Sequence, residues 1–247
     1  MSFKYQAVVT GISMLRRRLD RRTLKNVTSN IYRPAISVLN RLIEVDFVAV
    51  VGPTAVGKTT LIRHATKREQ AIRAVISSTS RNPRRDEQDG VDFRFETRER
   101  MEERFRRREY VQVALTDSGV ICATAPEDYP LDGVAVLPVL ADTLTSFRSL
   151  PFKRMRTLYV LPPSLTTWQL RLREREFDRD ELQARMAEAR RSLEFAAADD
   201  HTRFVISDDL IQATRDFIDL VLDKPMNDRL QLDQTRAGEI ITELREI

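Results

Sequence analysis

The sequence predicts an α/β fold with a mainly parallel sheet, organised around a phosphate-binding loop. Three observations carry that expectation. The segment Gly52-Pro53-Thr54-Ala55-Val56-Gly57-Lys58-Thr59 is a full match to the pattern G-x-x-x-x-G-K-[ST]. An apolar, β-branched run, Phe47–Val51, precedes it, and the helix-like stretch Thr60–Lys67 follows it. Strand-like and helix-like runs then alternate to about Leu222, as a parallel sheet with crossover helices requires. Only seven glycines occur in 247 residues, and two stand where the loop needs them.

Taken in order, residues 1–46 read as a basic N-terminal extension, with a short helix over 35–42. Strands are expected at 47–51, 72–77, 92–95, 110–115, 134–140, 156–161 and 203–206. Helices are expected at 58–68, 97–107, 164–174, 179–198 and 208–222. These make one domain over 47–223. Residues 224–247 form a tail, and the spacing of Ile240, Ile241 and Leu244 predicts that it is helical.

The loop residues state their own chemistry. Its glycines let successive backbone N–H groups turn inward onto phosphate oxygens. Lys58 reaches the β- and γ-phosphates, and the Thr59 hydroxyl suits Mg²⁺. The following helix points its N-terminus at the same anion.

Composition narrows the function classes. No run of about 18 apolar residues is present, so a membrane span is not expected. The single cysteine, Cys122, forms no internal disulfide, which suits a reducing, cytoplasmic setting. Two histidines, His64 and His201, are too few for a histidine-based metal cluster. Residues 1–46 carry nine cations against three anions, concentrated in Arg16–Lys25. That run reads as a solvated arm. Contact with nucleic acid, an acidic protein or an anionic membrane, or an organelle-targeting role, stays open.

A second constellation follows the loop. Ser77 through Phe95 places hydroxyls and guanidinium groups at a strand end, and Arg81 and Arg84 are spaced to converge on one anion. The stretch resembles the S-x-T-T-R-x-P-R-x-x-E-x-x-G-x-D-[YF]-x-F signature of guanylate kinases. The resemblance implies that Ser77, Arg81 and Arg84 grip the acceptor phosphate. Leu158-Tyr159-Val160-Leu161-Pro162-Pro163-Ser164 resembles the strand before that family's lid. Arg171, Arg175 and Arg185 match its lid arginines, on a lid (about 172–185) one residue shorter than usual. Ser207-Asp208-Asp209-Leu210 resembles its turn near the adenine site. The implied architecture is a three-layer P-loop kinase fold with an acceptor-binding region at about 77–124 and an Arg-rich lid. The implied donor site is Gly52, Thr54, Val56, Gly57, Lys58, Thr59, Thr60, Arg171, Arg175 and Ser207. Lys58, Arg81, Arg175 and Arg185 are the implied catalytic set, and Thr59 the metal ligand.

The departures from that pattern cluster at the acceptor base. Gln112 stands where the family carries a guanine-reading glutamate. Cys122 and Ala123 replace a tyrosine and a glycine, whereas Thr124 keeps its hydroxyl. Phe93 lacks a tyrosine's hydroxyl. The strand usually carrying two acids reads Val136-Leu137-Pro138-Val139-Leu140, and the nearest acid is Asp142. A neutral amide cannot supply the charge-assisted pair that a carboxylate gives guanine N–H groups. Two readings follow. One is an ATP- and Mg²⁺-dependent phosphotransferase with GMP, or another phosphorylated acceptor, as substrate. The other is a nucleotide- or protein-binding module of the same fold with little turnover. Were the register over 109–142 different, Asp117 with Thr124 would be the guanine reader.

Overall fold

The computed structural model describes residues 32–85, 87–115, 119–175, 177–199 and 201–245. The basic run at 16–25 and Asp117 lie outside the described residues.

A five-stranded parallel sheet forms the centre, in the order β2-β7-β1-β8-β9. Its strands are β1 (Asp46–Val51), β2 (Ile72–Ala74), β7 (Val134–Pro138), β8 (Arg154–Leu161) and β9 (Arg203–Ile206). β1 lies between β7 and β8, with Val50 opposite Pro138 and Leu158. Its continuous apolar run makes sense there, because both faces are covered. Phe47, Ala49 and Val51 point into one core, and Val48 and Val50 into the other.

The first face is covered by α1 (Ile36–Leu42), α4 (Leu144–Arg148), α5 (Leu165–Arg173), α6 (Arg179–Ala198) and α8 (Asp228–Arg245). The second is covered by α2 (Lys58–Arg68) and α7 (Leu210–Val221). Three layers result, as expected. Side-chain caps set the starts of α5, α6 and α7: Ser164, Asp178 and Asp209 each accept a backbone N–H from the first turn.

A smaller sheet stands apart, in the order β4-β3-β6-β5. It comprises β3 (Ser78–Thr79), β4 (Arg94–Phe95), β5 (Gln112–Leu115) and β6 (Ile121–Thr124), with α3 (Arg98–Arg106) crossing it. Met101, Tyr110, Val113 and Ala123 form its own core.

Several expected elements shift. The run at 72–77 is not one strand. It leaves the large sheet after Ala74 and re-enters strand geometry in the small sheet at Ser78. β7 ends at Pro138 rather than 140, where proline has no N–H to donate to the ladder. β6 and α4 were not anticipated. The terminal helix begins at Asp228, twelve residues before Ile240, where the apolar spacing starts. Val38 and Leu42 of α1, and Leu230, Ala237, Ile240, Ile241 and Leu244 of α8, are buried in the two cores. Packing therefore continues across the expected boundaries at 46 and 224. No helix among the described residues is long and apolar enough to cross a membrane.

Candidate active site

The phosphate-binding loop leaves the C-terminal end of β1, which lies between β7 and β8 in the sheet. Gly52 has φ 143°, and a Cβ there would stand 2.3 Å from the Val160 carbonyl oxygen, so the loop can hug β8 only with glycine. Gly57, at φ 104°, is the N-cap of α2 and turns the chain into the helix. Lys58 folds back over the loop and donates to the carbonyls of Gly52 (2.6 Å) and Pro53 (2.9 Å). Burial, aided by the nearby Arg185, lowers its ammonium to about 8, while Glu188 opposes the shift. A half-buried ammonium resting on carbonyls is a cation waiting for an anion. Thr59 and Thr60 are exposed at the helix start.

Of the residues that the resemblance implies for the donor, Val56, Gly57, Thr60, Arg171, Arg175 and Ser207 line one cavity. Arg171 donates to the Ser207 hydroxyl at 2.8 Å and to its carbonyl at 2.7 Å, and also reaches the Val56 carbonyl at 3.3 Å. The Ser207 hydroxyl in turn donates to Val56 O at 2.8 Å. Arg171 thus belongs to the body of the site and holds its wall. A cavity of about 260 Å³ opens beside it, lined by Val56, Gly57, Thr60, Arg175, Ser207 and Asp208 among others. Arg185, on α6, pairs with Glu181 and Glu188, and its Nε is buried without a partner. An orphaned guanidinium N–H beside Lys58 suits a phosphate oxygen.

The residues expected to hold the acceptor lie on and beside the small sheet. Arg81 is held by Glu87 through a two-pronged pair at 2.5 and 2.6 Å, which keeps that carboxylate below its usual range. Its guanidinium lies 4.8 Å from the centre of the Phe93 ring. Arg84 is exposed, and its backbone N–H is also bound by Glu87 at 2.8 Å. Ser77 precedes β3, partly exposed. On the small sheet, Gln112 stands opposite Thr124, and Ala114 opposite Cys122. These four share one face, because opposed residues point the same way. Gln112 is 8% exposed and its Nε2 has no partner. The Thr124 hydroxyl pairs with that of Tyr129 at 3.0 Å.

The end of β7 offers no acid. Pro138 and Leu140 are exposed there, and Asp142 is drawn away into an ion pair with Arg191 at 3.3 Å. No cluster of metal-ligating acids, histidines or cysteines exists among the described residues. The donor set therefore fits a magnesium ion only as one that Thr59 shares with nucleotide phosphates and water, a mode that Mg²⁺ accepts.

The Guanylate kinase family model matches residues 45–224. The chain belongs to the guanylate kinase family. It is 30% identical to a guanylate kinase of Nocardia farcinica, over 70% of this chain and 91% of that protein. It is 29% identical to one of Mycobacterium leprae, over 71% and 85%. A crystal structure of guanylate kinase from Anaplasma phagocytophilum shares the fold, with TM-score 0.55 at 17% identity over 80% of this chain and 93% of that one. Membership makes the chain a kinase-type phosphotransferase and does not favour the binding-module alternative.

Three contributors to the site escaped sequence reasoning. Trp168, the only tryptophan, is buried and bolts α5 to the loop through Nε1 to Thr54 O at 2.7 Å. Glu87 sits inside the quoted signature but carried no assigned role. Glu188 steers both Arg185 and Lys58. Only Glu87 had a signal, its place three residues after Arg84.

Proposed function

We propose that the chain transfers the γ-phosphate of ATP to GMP or a related nucleoside monophosphate, with Mg²⁺. The observation that carries this is Lys58 folded onto its glycine loop, beside a cavity lined by Arg171 and Arg175 and near the buried, unpartnered Nε of Arg185. Lys58, Arg175 and Arg185 serve the donor, and Arg81 and Arg84 serve the acceptor. Phosphoryl transfer asks for little covalent chemistry from the protein. It asks for alignment and for charge to meet the transferring group. The loop N–H groups and Lys58 would hold the donor phosphates, and Arg185 would meet charge at the γ-phosphate. Ser77, Arg81 and Arg84 would hold the acceptor phosphate. Arg81 is already aimed, because Glu87 and Phe93 fix its fork. Thr59 would be the protein's one ligand to Mg²⁺, which neutralises charge on the phosphates when bound.

The acceptor base meets Gln112, Thr124, Cys122 and Leu140. This set reads a base by neutral hydrogen bonds and contact, not by charge. The partners on this reading are ATP and a nucleoside monophosphate. We place the reaction in the cytoplasm, as the single free cysteine suits.

The test is product analysis with ATP, Mg²⁺ and GMP. ADP and GDP should appear in equal amounts, and Arg81→Ala should abolish turnover or raise the acceptor KM about tenfold or more while sparing ATP binding. ADP release that is indifferent to GMP and to every other nucleoside monophosphate would overturn the reading.

A further inference from the structure

The family model begins at residue 45, yet the chain just before it is tied to the small sheet. The Tyr32 hydroxyl donates to the Tyr110 carbonyl at 2.8 Å and accepts the Tyr110 N–H at 2.9 Å. Its ring stacks on Phe105 of α3, with centroids 5.1 Å apart. The Ala35 N–H donates to the Arg108 carbonyl at 2.9 Å. These ties fall just before β5, which opens with Gln112. Arg41, on α1, makes another. It donates to the carbonyls of Pro126, at 2.7 Å, and Tyr129, at 3.2 Å, just past the end of β6. The Tyr129 hydroxyl in turn lies 3.0 Å from that of Thr124. All of these contacts gather at one end of the β5–β6 hairpin, where Gln112 and Thr124 oppose each other across the ladder. The other side of α1 belongs to the large sheet. Val38 and Leu42 are buried in its core, and the Leu42 carbonyl accepts the Lys153 N–H at 3.3 Å, one residue before β8. Residues 32–42 thus strap the hairpin end to the large sheet.

The strap also walls a cavity of about 290 Å³, lined by Tyr32, Pro34, Leu39, Gln112, Val113 and Leu150 among others. Most of these walls are apolar. The Gln112 side chain brings the exception, a buried Nε2 without a partner. A buried donor left unpaired is costly, and a ligand that offers it an acceptor removes the cost. Apolar walls with one free donor suit a nucleobase, whose ring meets the walls and whose nitrogen or carbonyl meets the amide. The cavity can serve transfer only if it keeps its place relative to the phosphate grip, because small misplacements of a bound reactant cost rate steeply.

We propose that residues 32–42 are part of the acceptor site: the cavity beside Gln112 takes the acceptor base, Leu39 limits its size, and Tyr32 and Arg41 are positioning residues that set Gln112 and Thr124 against it. This deepens the acceptor reading made above and rests on it. It adds a specificity-determining wall supplied from outside the matched family region.

The experiment measures KM for ATP, with KM and kcat for GMP, AMP, CMP and UMP as acceptors, in wild type, Tyr32→Phe and Leu39→Trp. Phenylalanine keeps the stack on Phe105 and removes only the hydroxyl. Acceptor KM should rise about three- to tenfold, the loss expected of one hydrogen-bonded tether, with ATP KM held within about twofold. Leu39 is partly buried beside the cavity, so a tryptophan there has room to enter it. It shortens the cavity, and should lower the ratio of purine to pyrimidine kcat/KM about tenfold with ATP KM again within about twofold. A merely structural role for the strap would lower the unfolding temperature and move neither ratio. An unchanged ratio of acceptor KM to ATP KM in Tyr32→Phe, or an unchanged purine-to-pyrimidine ratio in Leu39→Trp, overturns the proposal while the assigned reaction stands. A wild type that transfers phosphate to none of the four acceptors overturns both.

Discussion

Lys58 is the residue on which donor binding turns, and its protonation gives a measurable signature. Its ordinary pKa of 10.5 falls to about 8 in the folded protein because burial disfavours the ammonium. The unfolded chain then holds this proton more tightly than the folded one. Between about 8 and 10.5 stability rises with pH on this account, and at neutral pH the charge opposes folding. A polyphosphate reverses the balance by pairing with it. ATP affinity should be flat below about pH 8 and fall above it, with uptake of a proton on binding at pH 9. Titration calorimetry in buffers of different ionisation enthalpy reads that proton directly. Lys58→Met should remove both the binding and the proton uptake and, because the buried charge opposes folding at neutral pH, should not lower the unfolding midpoint. Equal ATP affinity in the two proteins would contradict the role. At this scale the sequence was most legible where the backbone does the work, since the spacing of Gly52, Gly57 and Lys58 is itself the geometry. It was least legible at residues that act through others. Nothing local marks Trp168 as the bolt of the loop, because its contact is made across the fold, whereas Glu87 holds Arg81 from six residues away and its place after Arg84 was the one signal.

Among the elements, legibility follows length and apolarity. The strands read at 47–51, 156–161 and 203–206 were found nearly as expected, because a buried parallel strand is a continuous apolar run. β3 has two residues, too short to show a period, β4 keeps only the last two of the strand expected at 92–95, and in Ile121–Thr124 the apolar residues alternate with Cys122 and Thr124 over only four positions. α3 is arginine and glutamate nearly all round, held by pairs such as Arg98–Glu102 and Arg107–Glu103, with only Met101 buried. α8 shows why its first half was missed. Its inward residues there are Leu230 and Asp233, the latter paired with Arg229 and Arg236, so part of its buried face is ionic rather than apolar. Its second half buries Ala237, Ile240, Ile241 and Leu244 against the core. Removing residues 225–247 should therefore expose four large aliphatic side chains' worth of core, on the order of 6–12 kcal/mol at the usual transfer values and as much as a whole domain's stability. The truncated chain should fail to unfold cooperatively by calorimetry. A truncated chain with a sharp transition near that of the full chain would show that the domain ends at 224.

For the whole molecule, the two sheets divide the labour. On the proposed reading the large sheet and its loop hold the donor phosphates, whereas the small sheet and the end of β7 present neutral and apolar groups where the family resemblance implies charge. Gln112 is buried with an unpartnered Nε2, Leu140 at the end of β7 is 41% exposed, and Asp142 is bound to Arg191. A pocket without carboxylates discriminates among bases by one or two neutral hydrogen bonds, each worth about 0.5–1.5 kcal/mol. The account thus joins an intact donor and phosphate grip to a weak reading of guanine. The measurement that bears on it most directly is kcat/KM for GMP, AMP, CMP and UMP at saturating ATP and Mg²⁺, in wild type and Gln112→Glu. The wild type should use GMP with a preference over the next-best acceptor of about tenfold or less, and the added carboxylate should raise GMP use several-fold without restoring strict selectivity. A wild type that turns over GMP at least about a thousandfold better than any other acceptor, with Gln112→Glu unchanged or worse, would show that guanine is read by residues other than those on this face.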